Sequence, residues 1–179
     1  MARYKEYGYD IQNGKAIIPE WETEIKEEAF EDCDELTSVE FPQWIKKIGK
    51  DAFDGCWNLT EITLPEWVEE IGDDAFWGCK NLKSITLPRW VKKIGRRAFY
   101  GCSSLTSITI PPSVTKIGDD AFRGCSCLKS ITVSKENKVY DSREDCNAII
   151  HTESNTLISG CKNTVIPLSV TKIKNFAFS

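Results

Sequence analysis

Residues 65–87 read PEWVEEIGDDAFWGCKNLKSITL, and residues 88–110 read PRWVKKIGRRAFYGCSSLTSITI. The two stretches agree at every apolar position, and they belong to five consecutive units that repeat every 23 residues without an insertion. A fixed period of this length is typical of a repeat architecture, so the repeated unit decides the fold. The prolines that open the five units are Pro19, Pro42, Pro65, Pro88 and Pro111.

One 23-residue unit is too short for two helices of ordinary length, but it can form one coil of a solenoid. Leu82, Ile85 and Leu87 are separated by the small polar residues Ser84 and Thr86, which predicts a short strand with one buried face. The next proline ends this strand because it lacks a backbone donor. The rest of the unit is expected to hold a second extended piece and one brief helical turn.

The second half of the unit supplies the predicted core. Gly72 permits a bend, and Asp73 is a suitable cap for the turn DDAFWGC that follows it. Alanine, phenylalanine and cysteine recur there in every unit, and a single unit has no partner for this apolar face, so stability requires stacked coils. We predict one internal ladder of the phenylalanines Phe30, Phe53, Phe76, Phe99 and Phe122.

The signature I/L-P-x-x-V-x-x-I-G-x-x-A-F-x-G-C-x-x-L-x-x-I-T-I resembles the BspA-like leucine-rich repeat family, over residues 19–133 and 166–178. The resemblance implies a leucine-rich-repeat solenoid, a right-handed superhelix of short parallel strands with brief helical turns, mostly β with little α. It also implies relatives that are cell-surface or secreted microbial proteins, which bind host proteins or other cells.

Four parts follow along the chain. The N-terminal cap, residues 1–18, contains three tyrosines and is expected to hold one starting strand. The irregular unit, residues 134–165, is expected to hold a hairpin of residues 148–151 and 156–159. The final repeat is incomplete, and its open end is a predicted site of self-association. The parts are residues 1–18 as an N-terminal cap, 19–133 as five repeats, 134–165 as the irregular unit and 166–179 as a partial C-terminal repeat.

Composition argues against several classes of protein. The net charge of −4 and the pI of about 5.2 argue against nucleic-acid binding. No apolar run is long enough to span a bilayer, and the start MARYKEYGYD does not read as a signal peptide. Most acid–base and zinc sites need several well-placed imidazoles or a cluster of ligands, and the chain has one histidine, His151. We therefore expect a non-catalytic protein without cofactor or metal.

The cysteines repeat with the unit. One cysteine per coil at one angular position predicts buried free thiols, because equivalent side chains point in parallel and cannot converge into disulfides. Cys125 and Cys127 form a C-x-C motif, but no second pair of cysteines lies nearby in sequence at the spacing of a metal site, so no zinc site is expected. The periodic cysteines are Cys33, Cys56, Cys79, Cys102 and Cys125.

The aromatic residues are the strongest sign of a binding surface. The family has a small residue at the third position of the unit, as at Ser113 and Ser169, but the first four units carry tryptophan. This tryptophan column either stiffens the stack or forms a binding edge, and a second group is expected to project from the turns. The candidate protein-binding residues are Trp21, Trp44, Trp67 and Trp90 in the column, and Trp57, Trp77 and Tyr100 in the second group.

Charged pairs alternate in sign from unit to unit. Equivalent positions on neighbouring coils lie about 4.8 Å apart, so each charge should face its opposite and disfavour a slipped register. The pairs are Lys46-Lys47, Glu69-Glu70 and Lys92-Lys93, and then Asp73-Asp74, Arg96-Arg97 and Asp119-Asp120.

Two origins and two functions fit this pattern. The favoured one is an engineered repeat scaffold that presents a surface for protein binding or self-association, and the alternative is a fragment of a natural microbial cell-surface adhesin. Expected partners are another protein or a second copy of the chain, through the aromatic strip or the open C-terminal end. Neither nucleic acid nor a membrane is an expected partner, and the sequence does not set the localisation.

Overall fold

The computed structural model describes residues 3–178, and each 23-residue unit forms one coil with two short strands. The predicted L-x-x-I-x-I segment, which ends each 23-residue unit, forms one of the two strands. These strands are β2 (Lys15–Ile17), β4 (Ser38–Glu40), β6 (Glu61–Thr63), β8 (Ser84–Thr86), β10 (Ser107–Ile110) and β12 (Ser130–Val133). In β6 and β8 the central isoleucine is buried while its neighbours are exposed, and the two isoleucines, Ile62 and Ile85, pair in a parallel register. The central residue is Ala16 in β2 and the half-buried Val39 in β4.

The other strand of each coil lies near the start of the unit. These strands form a five-stranded parallel sheet of order β11-β9-β7-β5-β3. The predicted charge alternation holds between the third and fourth coils, where Lys92 pairs with Glu69 at 2.7 Å and Lys93 pairs with Glu70 at 2.6 Å. It fails on the next coil, where Lys93 lies opposite Lys116. A shift by one coil would place like charges together, so these pairs favour the observed register. The strands are β3 (Glu24–Ile25), β5 (Lys47–Ile48), β7 (Glu70–Ile71), β9 (Lys93–Ile94) and β11 (Lys116–Ile117).

The expected helical turn of each coil is instead a run of hydrogen-bonded β-turns. The Trp77 N–H donates to the Asp74 carbonyl at 2.9 Å, and the Cys79 N–H donates to the Phe76 carbonyl at 3.3 Å. A helix cannot pass through Asp74, because its φ of 55° is left-handed. The Asp73 carboxylate accepts from the N–H of Arg96 on the next coil rather than capping its own turn.

These turns carry a third set of bonds between coils. The Phe53 N–H donates to the Ala75 carbonyl at 2.8 Å, and Phe76 does the same to Ala98. The residues two before and two after each phenylalanine donate to the next coil in the same way, for instance Asp51 to Asp73. Alternate N–H groups therefore tie each coil to the next from the first coil to the fifth, much as in a sheet.

The predicted phenylalanine ladder is confirmed. All five side chains are buried, and consecutive rings lie nearly parallel, for example 5.2 Å apart between Phe53 and Phe76 and 5.3 Å apart between Phe76 and Phe99. Stacked rings and the bonds described above thus act at the same residues, so ring contact and backbone pairing fix one register together.

The N-terminal segment closes the first coil. Tyr4 lies in the short helix α1 (Arg3–Glu6), and its ring stacks on Phe30 at 5.8 Å, while Tyr9 stacks on Phe30 at 5.6 Å. Sequence reasoning expected one strand here, but β1 (Asp10–Gln12) pairs antiparallel with β2. The missed signal is Asn13-Gly14, whose positive φ values fit a two-residue hairpin turn.

The irregular segment and the last coil form a four-stranded sheet with a small core of its own. Strand β14 runs antiparallel to both β13 and β15, and β16 runs parallel to β15. The side chain of Ile149 belongs to the main core, whereas Ile150 belongs to the second core with Leu157. The strands are β13 (Tyr140–Asp141), β14 (Ala148–His151), β15 (Thr156–Gly160) and β16 (Lys172–Ile173), with a 3-10 turn at Arg143–Asp145.

We predict that Phe76→Ala lowers the free energy of unfolding by about 3–5 kcal/mol, because it removes a fully buried ring that stacks on both neighbours. Urea unfolding followed by circular dichroism measures this change. The exposed Lys83 of the same coil provides the control, since Lys83→Ala should stay within about 0.5 kcal/mol. Equal losses in both variants would contradict the ladder as a main source of stability.

Candidate protein-binding surface

The tryptophan column lies at the corner after each L-x-x-I-x-I strand, where the chain turns into the next strand of the five-stranded sheet. The Val68 N–H donates to the Pro65 carbonyl at 3.2 Å, which closes a four-residue turn with Trp67 in its third position. A side chain at this position projects away from the core. The exposed fractions are 79% for Trp21, 52% for Trp44, 48% for Trp67 and 39% for Trp90.

Ring contact within the column joins its last two members. The rings of Trp67 and Trp90 are 6.2 Å apart and 9° from parallel, and the Arg89 guanidinium lies 5.2 Å from the Trp90 ring centre. Within residues 3–178, no ring contact attaches Trp21 or Trp44 to this pair. The column is therefore a row of exposed rings whose C-terminal half is stacked.

The second aromatic group is part of a longer row that ends in a cation. Trp77 and Tyr100 stack at 5.9 Å, and the guanidinium of Arg123, at the equivalent position of the next coil, lies 5.8 Å from the Tyr100 ring. The same guanidinium is 3.8 Å from the ring of Phe176 in the last coil. The contact with Phe176 has no periodic signal, because the other coils carry polar residues at that position.

Trp57 has a separate cationic neighbour. The Lys80 ammonium lies 4.7 Å from its ring centre, a cation–π distance. Lys80 follows Trp57 by one period, so the sequence held the signal for this contact. Trp57 stays 47% exposed and Trp77 37% exposed, so both remain available to a partner.

At the position equivalent to Trp77, the first two coils carry acidic side chains. Asp54 precedes Trp77 by one period, and burial raises the pKa of its carboxyl to about 7, with further increases from the charges of Asp51 and Asp32. A carboxyl with a raised folded-state pKa holds its proton more tightly in the folded protein. Stability from this group is therefore present at acidic pH and is lost as the pH rises toward 7.

We predict that Asp54→Asn raises the melting temperature at pH 8 and has little effect at pH 4.5, because the amide resembles the protonated acid. The gain at pH 8 should be about 1 kcal/mol, since the carboxyl is partly screened by solvent. Differential scanning calorimetry of both proteins at both pH values measures it. A gain of the same size at pH 4.5 would show that charge is not its cause.

His151 forms part of a hairpin turn. Its Nδ1 accepts from the Ser154 N–H at 3.3 Å and lies 3.0 Å from the Ser154 hydroxyl, which in turn donates to Thr156. The other side of the ring meets the edge of Tyr140. No carboxylate of residues 3–178 is hydrogen-bonded to this imidazole, so the group lacks the orienting acid of a triad.

An acidic trio at the N-terminal end is occupied by protein cations. The carboxylates of Glu27, Glu28 and Asp51 approach one another, but Arg3 pairs with Glu28. Lys50 lies 3.5 Å from Glu27 and 2.9 Å from Asp51. These ion pairs offset the negative charge of the trio.

The periodic thiols are structural donors. The sulfur of Cys56 donates to the Phe30 carbonyl at 3.0 Å, and Cys79, Cys102 and Cys125 donate to the phenylalanine of the preceding coil in the same way. Burial raises the pKa of Cys125 to about 12. The thiolate, which is the reactive form, is therefore scarce at neutral pH.

We predict that Ellman's reagent labels one thiol per folded chain quickly at pH 8, the exposed Cys127, with the half-buried Cys161 following more slowly. All eight should react in 6 M guanidinium chloride without reductant, because the periodic side chains are expected to be unpaired. Recovery of fewer than eight thiols under those conditions would reveal disulfides and overturn the expectation.

The C-terminal end exposes apolar side chains. Strand β16 has one paired edge, to β15, and its Ile173 is 46% exposed. Leu168 is fully exposed, and Phe178 is half exposed. The last coil, which the sequence analysis expected to self-associate, thus exposes apolar side chains up to Phe178, and Ser179 lies outside the described residues.

Comparisons with known proteins agree with this fold. The family model of the BspA type leucine rich repeat region matches six copies over residues 23–149. A leucine-rich repeat protein from Eubacterium ventriosum has a TM-score of 0.79 and 27% identity, over 93% of this chain and 45% of its own. The leucine-rich repeat protein of T. pallidum has a TM-score of 0.67 and 29% identity, over 93% of this chain and 78% of its own.

A third similar structure is a leucine-rich cell surface protein from Faecalibacterium prausnitzii, with a TM-score of 0.61 and 33% identity over 81% of this chain. The chain spans less than half the length of this protein and of the Eubacterium ventriosum protein, 45% in each case. No curated protein matches the sequence significantly. Among residues 3–178, no helix has the length and apolar character needed to cross a membrane.

Proposed function

Because the chain belongs to the BspA-type leucine-rich repeat family, we propose that it is a non-catalytic scaffold that binds another protein through its tryptophan column. The observation that carries the proposal is the exposure of four indoles at equivalent corners of successive coils. Tryptophan is enriched among the residues that dominate binding energy, and exposed apolar strips of this kind mark interaction sites.

The fold itself does not require these rings. Ser113 occupies the same corner of the fifth coil and is half-buried there. The neighbouring residues Glu20, Gln43, Glu66 and Arg89 are all exposed and polar. An apolar strip with a polar rim is the arrangement of protein interfaces, so we assign the column to recognition.

The alternative function is that of a natural bacterial surface adhesin, of which this chain is a piece. It is favoured by the cell-surface protein of Faecalibacterium prausnitzii among the similar structures. A binding column serves an engineered scaffold and a natural adhesin equally, and a second copy of the chain is one possible occupant of the strip.

We predict that changing Trp21, Trp44, Trp67 and Trp90 together to Ser weakens binding at least tenfold while the coils stay folded. The probes are peptides selected from a displayed random library on the unchanged protein, with their affinities measured by fluorescence anisotropy. Sedimentation velocity of both proteins shows whether a second copy also occupies the strip. The control changes the exposed Lys83, which lies outside both aromatic groups, to Ala and should leave the affinities within twofold.

The two interpretations of the column give different results. Unchanged affinities and an unchanged solution mass in the four-serine variant, with a lower melting temperature alone, would reduce the column to a stabilising stack. Equal losses in the variant and in its control would place binding elsewhere. Loss confined to the column variant supports recognition by the column.

A further inference from the structure

The last coil, residues 166–178, stacks on the irregular unit with the bonds of the regular coils. The Gly160 N–H donates to the Ala177 carbonyl at 2.8 Å, as the Phe53 N–H donates to the alanine carbonyl of its next coil. Gly160 therefore stands in line with the ladder, and a Cβ there would collide with the ring of Phe178, so this ring lies against the glycine. Strand β16 pairs in parallel with β15, which covers the inner face of the last coil.

The outer face of the last coil exposes side chains that the regular coils bury. In the regular array, each of these positions is covered by the coil that follows it along the solenoid. The exposed fractions are 46% for Ile166, 46% for Ile173 and 50% for Phe178, against 5%, 0% and 0% at the equivalent Leu64, Ile71 and Phe76. The last coil thus presents a stacking face to solvent.

Strand β16 adds a strand edge to this face. The order of its sheet is β13-β14-β15-β16, and among residues 3–178 its one partner strand is β15. Both of its residues, Lys172 and Ile173, are exposed. The free edge of a strand carries unpaired backbone groups, so it is a template for another strand. The outer face therefore combines apolar side chains with a strand edge, the two elements that hold one regular coil on the next.

The opposite end of the solenoid is closed to such a face. Ile25 and Phe30 of the first coil are 0% and 1% exposed, and the rings of Tyr4 and Tyr9 both stack on Phe30. The Tyr9 hydroxyl also donates to the Glu24 carbonyl of β3 at 3.4 Å. The cap thus occupies the place where a second copy would stack head to tail, so copies cannot add in one direction to form a fibre.

We propose that the outer face of the last coil binds the same face of a second copy, so that two chains form a closed twofold dimer. In this dimer the two β16 strands lie side by side and antiparallel, and residues before the strand in one copy meet residues after it in the other. The face suits this arrangement, because Ile166 precedes β16, Phe178 follows it, and both are apolar.

The occupant follows from the contact that the chain already makes between its coils. The outer face continues that interface, and its apolar side chains need the layer that covers their equivalents elsewhere, which is another coil. The cap closes the first coil, so the last coil of a second copy is the remaining stacking face. The tryptophan column belongs to the first four coils, so the dimer leaves it accessible, and neither proposal depends on the other.

Sedimentation equilibrium of the full chain from about 1 μM to 1 mM tests the proposal. We expect the mass to rise from 20.3 kDa and to level off at twice this value, because a closed dimer uses each face once. Ile173→Glu should weaken association at least tenfold, since it places a charge within the contact. Ile173 is already half exposed in the single chain, so the variant should fold, and circular dichroism checks this.

The matched control is Ile17→Glu, at an isoleucine of β2 that is 38% exposed, and it should leave the dissociation constant within twofold. The variant with four serines in the tryptophan column should dimerise like the unchanged protein. A mass that stays at 20.3 kDa over the whole range would overturn the proposal. So would masses that grow beyond the dimer, equal losses in the two isoleucine variants, or loss of the dimer in the four-serine variant.

Discussion

The bond from each of the first four ladder phenylalanines to the alanine carbonyl of the next coil is the interaction on which the rest of this solenoid depends. At one residue it joins a buried backbone pair to a ring stack, with bonds of 2.8 Å and ring distances of 5.2–5.5 Å. Slipping the chain by one residue would break both at once, so the period of 23 is fixed in the core. The charged pairs on the outer sheet then reinforce a register that is already set.

Much of the core followed from the sequence because stacking turns a periodic pattern into a spatial one. An apolar residue that recurs every 23 positions must meet its own equivalents, which is why the buried ladder and the buried thiols were predictable. Local backbone geometry was harder to predict from the sequence. The run DDAFWGC satisfies the composition of a helical turn, but the left-handed Asp74 divides it into β-turns, and this φ depends on bonds to the neighbouring coil.

The exposure of the column could also be predicted, because Ser113 shows that the corner needs no large side chain. The details of ring contact could not. Trp67 and Trp90 stack while Trp21 stands 79% exposed, and the period, which is the same at all three positions, does not distinguish them. The position of Gly160 in line with the ladder was equally hidden, because the irregular segment has its own spacing and aligns with the coils only through its bonds.

Strand β14 places successive side chains in two different cores, with Ile149 in the main one and Ile150 in the small one beside Leu157. A partition of this kind limits cooperativity, since side-chain contacts on one face of the strand do not depend on those on the other. We expect the last coil to open with a local free energy of its own while the phenylalanine ladder stays intact, at the expense of the contacts from Lys174 to Asp119 and from Phe176 to Arg123. In a repeat protein, where each coil contacts its neighbours alone, such a partition divides the chain into two units of folding.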